Sequence, residues 1–234
     1  MDNKKNESLL HLKEQLEFFQ QIGAEFLSSD SATGGPAGLG NEGGPLDPSE
    51  IFSALETTIL SCQKCPLAAT RTQAVPGEGN KQADLLFVGE GPGRDEDRLG
   101  KPFVGRAGQL LTKIIEAMKF TREEVYITNI VKCRPPNNRN PEPGEIEQCH
   151  PYLLRQIELI RPRVIVSLGK VATEFFIPNM KTISSVRGQF QVFRDIPLMP
   201  TFHPSYLIRQ PDNRPLKKKV WDDMKKVMAL LDGS

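Results

Sequence analysis

The sequence predicts an α/β protein, a three-layer α/β/α sandwich around a central, mainly parallel sheet of four strands. Short apolar runs typical of strands alternate along the chain with longer segments of helical periodicity. These runs are apolar at nearly every position, which is typical of strands that helices cover on both faces. With 234 residues, the chain can bury one substantial core but not two large domains.

The N-terminal segment has a composition of its own. Residues 8–27 place Leu and Phe at three- and four-residue steps, which predicts an amphipathic helix. The run that follows is rich in Gly, Ser and Pro and predicts a flexible linker. We therefore divide the chain into residues 1–47, a helix on a flexible linker, and residues 48–234, a globular domain. We expect the N-terminal helix to bind a protein partner.

The globular domain contains the alternating elements. Strands are predicted at 84–89, 125–130, 163–168 and 198–202, with a minor edge strand at 189–194. Helices are predicted at 51–60, 105–119, 143–160, 169–176 and 216–231.

The charge is distributed unevenly. The first 50 residues have a net charge of −6, and the remainder has +7, the sign that a polyanion-binding domain needs. No apolar run approaches the roughly 20 residues of a membrane span, and the N-terminus lacks a signal core. We expect a monomer that acts in the cytoplasm without membrane contact.

The four cysteines, Cys62, Cys65, Cys133 and Cys149, have a spacing that suggests a metal centre. Disulfides require an oxidising compartment, for which the sequence has no leader. Structural zinc prefers two tight pairs, whereas only Cys62 and Cys65 are close in sequence. Iron–sulfur clusters accept thiolates from scattered segments, and Pro66 directly follows Cys65 as in ferredoxin-type motifs. Zinc and a [4Fe–4S] cluster both remain open on spacing alone.

Polar and glycine-rich motifs follow the predicted strands. Gly89-Glu-Gly-Pro-Gly93 follows the first, Asn129 ends the second, and His203-Pro-Ser follows the last. In an open parallel sheet, ligands bind beyond the carboxyl ends of the strands, so these motifs predict a site. The glycines do not have the spacing of a dinucleotide-binding fingerprint.

Three long motifs, GEGPGRDEDRLGKPFVGRAGQLL, TNIVKCRPPNNRNPEP and HPSYLIR, resemble the family 4 uracil-DNA glycosylases, the iron–sulfur branch of that superfamily. The similarity extends from about Cys62 to the C-terminus and leaves out the first 50 residues. The resemblance implies hydrolysis of the N-glycosidic bond of uracil in single- or double-stranded DNA, leaving an abasic site for base excision repair. It also implies that Cys62, Cys65, Cys133 and Cys149 hold a [4Fe–4S] cluster.

The resemblance implies particular roles in uracil binding. The amide of Asn129 can pair with O4 and N3–H of uracil, whereas cytosine presents the reversed donor and acceptor. Phe103 would stack on the base, and the backbone of Gly89, Glu90 and Gly91 would contact its other side. His203 would donate a hydrogen bond to O2 as negative charge accumulates there.

Water activation and DNA contact are assigned less directly. Glu90 and Glu96 are the two carboxylates that can orient water, and the sequence does not choose between them. The resemblance implies that Ser205 and Arg209 contact DNA and that Leu207 is an apolar wedge in the duplex.

Other functions predict different residues. A branch of the superfamily that traps the sugar covalently needs a histidine after the second strand, and residues 134–141 contain none. An iron–sulfur electron carrier would not need Asn129 or His203. The alternative that we retain is a non-catalytic, DNA-binding accessory iron–sulfur protein.

Overall fold

A computed structural model describes residues 47–233 of the protein. The predicted N-terminal helix and its linker lie outside the described residues. No helix within residues 47–233 has the length and apolar character needed to cross a membrane.

The core of the structure is a six-stranded, mainly parallel sheet. In chain order the strands are β1 (Glu78–Gly79), β2 (Leu85–Gly89), β3 (Tyr126–Asn129), β4 (Val164–Leu168), β5 (Gln191–Phe193) and β6 (Ile196–Thr201). Their order in the sheet is β1-β3-β2-β4-β6-β5. Strands β3, β2, β4 and β6 pair in parallel, and β1 and β5 pair antiparallel at the two edges.

The predicted fold class is confirmed, but the predicted number of four strands is wrong. The four parallel strands lie where the apolar runs predict them, and β5 falls within the expected edge strand at 189–194. Strand β1 was missed because two residues carry no periodicity.

Helices flank the sheet. They are α1 (Pro48–Ser61), α2 (Leu67–Thr70), α3 (Arg94–Leu99), α4 (Arg106–Ala117), α5 (Pro143–Ile160), α6 (Gly169–Phe176), α7 (Ile183–Val186), α8 (Pro204–Ile208) and α9 (Arg214–Asp232), with a 3₁₀ turn at Pro136–Asn138. The five predicted helices are all present as α1, α4, α5, α6 and α9. The other four have only four to six residues, too few to repeat an apolar face.

Alternate strand residues face opposite layers of the sandwich. On one face, Phe87 and Val166 belong to an apolar cluster that includes Leu111 of α4 and Val227 of α9. The other face includes polar contacts, and the Thr128 hydroxyl lies 3.3 Å from Oε1 of Gln156 on α5. The parallel register aligns Gly89 with Asn129, so the ends of β2 and β3 lie side by side.

Candidate active site and cysteine centre

A cavity of about 680 Å³ lies beyond the carboxyl ends of the parallel strands. Eight of the residues that line it were predicted from the sequence: Glu90, Gly91, Glu96, Phe103, Asn129, His203, Ser205 and Arg209. The sheet topology therefore brings together three motifs that are spread over more than 100 residues of the chain. A cavity of this size can hold a nucleobase and its sugar.

Asn129 is placed at the innermost part of this cavity by the end of β3. The residue is 1% exposed, and its side-chain oxygen Oδ1 has no hydrogen-bond partner among the described residues. Gly89 lies opposite, and a Cβ added there would be 2.5 Å from both Asn129 Oδ1 and Phe103 Cζ. Because an unsatisfied buried acceptor costs about 1–3 kcal/mol, Asn129 is suited to a ligand that supplies an N–H donor.

Phe103 forms the second wall of the cavity and has an unusual backbone conformation. Its φ of 51° lies in the left-handed region, which is strained for an aromatic residue. The Arg122 guanidinium holds this turn by donating to the carbonyls of Phe103 and Pro102, at 3.2 and 2.8 Å. The Phe103 ring lies 5.7 Å from the His203 ring, at an angle of 33°.

The two candidate carboxylates have different surroundings. Glu96 Oε1 accepts from the backbone N–H groups of Val104 and Gly105 at 2.9 and 2.8 Å, and Oε2 accepts from Gly93 at 3.1 Å. Glu96 therefore fixes the turn that carries Phe103, and both of its oxygens are occupied. Burial raises the pKa of Glu90, which lines the cavity and whose carboxylate has no hydrogen bond within residues 47–233.

His203 precedes α8, and its hydrogen bonds define its tautomer. Nδ1 accepts from the backbone N–H of Ser205 at 3.1 Å and lies 2.8 Å from the Ser205 hydroxyl. The proton of the neutral ring is therefore on Nε2. Burial, with a smaller effect of Arg209, lowers the pKa of His203 to about 4, so the ring is a neutral donor at neutral pH.

The neighbours of His203 differ in exposure. Leu207, predicted as a wedge in the duplex, is 3% exposed and packs with Phe202, Leu216 and Val220. Leu207 is not among the residues that line the cavity. The exposed residue of α8 is Tyr206, which is 37% exposed, lines the cavity and packs against the Phe202 ring at 5.3 Å.

The four cysteines line a second, smaller pocket. All four are free thiols, contributed by the segment after α1, the segment after β3, and α5. Arg71 donates to Cys133 Sγ at 2.9 Å, and the backbone N–H of Lys132 donates to Cys149 Sγ at 3.2 Å. Burial raises the pKa of Cys149 to about 12, opposed by Lys132.

The donor set of this pocket fits a thiolate-bound cluster. All four cysteines line this pocket, and two N–H groups donate to their sulfurs, as is common around cluster sulfurs. Within residues 47–233, no group of three or more His, Cys, Asp or Glu side chains has the arrangement that holds a metal ion.

Three further residues were missed by the sequence analysis: Arg122, Lys132 and Tyr206. Arg122 and Lys132 are isolated cations outside any pattern that predicts a buried role. The exposure of Tyr206 could have been predicted from the sequence. Consecutive residues of a helix point about 100° apart, so if the apolar Leu207 faces the core, Tyr206 faces away from it.

Comparison with known proteins identifies the family of this chain. The family model of the uracil DNA glycosylase superfamily matches residues 76–225, so the chain belongs to this superfamily. The Type-4 uracil-DNA glycosylase of Thermotoga maritima is 46% identical over 184 residues, covering 78% of this chain and 95% of the relative. The Type-4 uracil-DNA glycosylase of Archaeoglobus fulgidus is 48% identical over 189 residues, covering 77% and 94%. Within the superfamily, the chain is a member of the type-4 family.

Proposed function

We propose that the protein is a DNA repair glycosylase that hydrolyses the N-glycosidic bond of uracil in DNA, releasing free uracil and leaving an abasic site. The observation that carries the proposal is the buried, unpartnered Oδ1 of Asn129 in a cavity shared with Phe103 and a neutral His203. The high similarity to type-4 uracil-DNA glycosylases supports it.

Base recognition follows from the Asn129 amide. Oδ1 accepts the N3–H of uracil, which satisfies the buried oxygen, and the amide N–H group donates to O4. Cytosine presents an acceptor at N3 and a donor at its exocyclic amine, so both contacts become repulsive. Stacking on Phe103 adds about 1–3 kcal/mol for a flipped base. The backbone of Gly89, Glu90 and Gly91 lines the opposite side.

Departure of the base depends on His203. As the bond between C1′ and N1 breaks, its electron pair moves onto the uracil ring, and negative charge accumulates on O2. The Nε2–H of His203 donates to O2, while the Ser205 contacts keep Nδ1 unprotonated. A preorganised donor at a developing oxyanion contributes about 2.7–4 kcal/mol.

The attacking water is oriented by Glu90. The water oxygen bonds to C1′ of the cationic sugar, and the water loses a proton as the bond forms. Glu90 can accept that proton because its carboxylate has no other hydrogen bond within the described residues, whereas both oxygens of Glu96 are occupied. Glu96 instead supports the chemistry by holding the Phe103 turn.

The DNA strand runs past α8. Ser205 and Arg209 line the cavity, and their hydroxyl and guanidinium can bind phosphates of single- or double-stranded DNA. We assign to the exposed Tyr206 the base contact that the sequence had suggested for Leu207.

We further propose that Cys62, Cys65, Cys133 and Cys149 hold a [4Fe–4S] cluster. These four cysteines would hold the cluster and thereby tie together three chain segments, and the hydrolysis requires no electron transfer from it. Iron and acid-labile sulfide at four atoms each per chain would support the cluster, and stoichiometric zinc would refute it.

Three remaining proposals concern the whole chain. We propose that the protein is a cytoplasmic monomer, that residues 48–234 form the glycosylase domain, and that the acidic N-terminal segment 1–47 binds a protein partner.

The function is tested with a uracil-containing oligonucleotide, incubated with protein and then treated with alkali to cleave abasic sites. We expect strand scission with the wild type and severe loss with His203→Ala or Asn129→Ala. Release of no uracil by folded wild-type protein would refute the enzyme and favour a non-catalytic accessory protein.

A further inference from the structure

Lys132 is a fully buried cation between the two sites. It is 1% exposed, and its Nζ lies 2.6 Å from Thr128 Oγ1, 2.7 Å from the Asn129 carbonyl and 2.7 Å from Gln156 Oε1. Lysine is almost never fully buried unless its charge is paired, so this position requires an explanation.

Each of the three contacts uses the Lys132 amine as the donor. The Thr128 hydroxyl proton is directed to the Pro76 carbonyl at 2.8 Å, so Thr128 accepts from Lys132. Gln156 donates through Nε2 to Pro76 and Tyr126, which leaves Oε1 as an acceptor. Lys132 Nζ is thus the donor in all three contacts, which match the three N–H groups of an ammonium, and burial lowers the pKa of Lys132 to about 7.

The backbone around Lys132 joins the cavity to the cysteine pocket. Its N–H donates to Cys149 Sγ, and its carbonyl accepts from Val75 at 2.7 Å. Ile130 and Val131 donate to the carbonyls of Gly89 and Glu90, at 2.9 and 3.1 Å. The segment 129–133 is therefore fixed at both ends, with the ammonium of Lys132 folded back onto the carbonyl of Asn129.

An apolar side chain of the same length would fill this space without the cost of burying a charge. Replacing buried charged groups by apolar ones of similar volume is often neutral or stabilising. What an apolar side chain cannot supply is the directional contact to Asn129, whose own side chain must face a base within a few tenths of an ångström.

We propose that Lys132 is a positioning residue for uracil recognition, whose ammonium holds the Asn129 carbonyl and thereby sets the direction of the Asn129 amide. The inference depends on the proposed function. It assigns a role in the substrate site to a residue that does not touch the substrate.

The test measures binding of a fluorescent oligonucleotide that contains one 2′-fluoro-2′-deoxyuridine, which resists cleavage, against the same oligonucleotide with thymidine. The dissociation constant for the thymidine oligonucleotide divided by that for the fluorodeoxyuridine oligonucleotide measures uracil-specific binding, and a higher ratio means stronger preference for uracil. We expect Lys132→Met to lower this ratio about tenfold, while binding of the thymidine oligonucleotide, iron content and the melting temperature change little. Lys225→Met, an exposed lysine paired with Asp222, is the matched control and should behave as wild type.

A double-mutant cycle separates positioning from general destabilisation. If Lys132 acts through Asn129, Lys132→Met should have little further effect on the ratio in the Asn129→Ala protein. An unchanged ratio in folded Lys132→Met protein, or losses that add fully in the double variant, would overturn the inference.

A milder variant covers the case in which Lys132→Met does not fold. Thr128→Val removes one acceptor and keeps the charge, and we expect a loss of about threefold that again disappears with Asn129→Ala. A wild-type ratio in Thr128→Val would then overturn the inference. A wild-type protein without preference for uracil would instead refute the proposed function.

Discussion

Replacing Gly89 with alanine should block the uracil site while leaving the fold intact. The added Cβ would lie 2.5 Å from Phe103 Cζ and from Asn129 Oδ1, whereas ordinary contact begins at 3.4 Å. Phe103 must therefore move by about 1 Å, a displacement that costs about 100-fold in rate when it affects substrate positioning. The backbone itself accepts alanine, because Gly89 does not have a positive φ.

We expect kcat/KM for uracil excision to fall about 100-fold in Gly89→Ala, equivalent to about 2.7 kcal/mol. Overpacking should cost about 1–3 kcal/mol of stability, too little to unfold the domain. Single-turnover excision and thermal melting measure the two effects. Gly144→Ala is the matched control, because a Cβ at Gly144 meets nothing within 4 Å. Wild-type kcat/KM in folded Gly89→Ala would refute the placement of uracil between Asn129 and Phe103.

Four further predictions concern the cavity. The rate should rise with pH through the raised pKa of Glu90, and Glu90→Gln should be about 100-fold slower and lose that rise. The stability that neutral His203 contributes is complete above pH 6.5 and should fall by about 3 kcal/mol towards pH 4, measured by urea unfolding of wild type against His203→Gln. Glu96→Ala removes three hydrogen bonds and should cost about 3 kcal/mol in stability, with slower excision. Tyr206→Ala should weaken DNA binding at unchanged melting temperature, whereas Leu207→Ala should cost about 2–5 kcal/mol of stability.

Each of these predictions has a contradicting outcome. A pH profile shared by wild type and Glu90→Gln would exclude Glu90 as the group that titrates. Equal loss of stability on acidification in wild type and His203→Gln would mean that His203 is not buried as a neutral ring. An unchanged melting temperature of Glu96→Ala would refute the role of Glu96 in the turn. Weaker DNA binding by Leu207→Ala but not by Tyr206→Ala would support Leu207, and not Tyr206, as the residue that contacts the DNA bases.

The central sheet could be predicted because its parallel strands are apolar at nearly every position. Strand β4 and helix α5 lie within a residue of their predicted bounds, since each carries a pattern over several repeats. The convergence of Asn129 with His203 also followed from the sequence, because the carboxyl ends of parallel strands share one edge. Short elements such as α3 were not predictable, since six residues show no period.

The roles of individual site residues depend on where their side chains point and what they contact, which the sequence does not specify. Nothing in the acidic run distinguishes Glu96, which accepts three backbone N–H groups, from a solvated carboxylate. The wedge was assigned to Leu207 because it is apolar, and the same property buries it in the core beside α9. The burial of Lys132 could not be predicted, because the residues that surround it in the fold, such as Gln156, are distant from it in the sequence.

The short distance along the chain from Asn129 to Cys133 limits how this enzyme can be redesigned. An engineer who wishes to change the excised base must alter the Asn129 amide, yet the next three residues are anchored to Gly89, Glu90 and the Cys149 sulfur. Libraries that randomise Asn129 alone should therefore yield mostly inactive clones. Productive changes of base preference should require compensating substitutions at Thr128, Lys132 or Gln156.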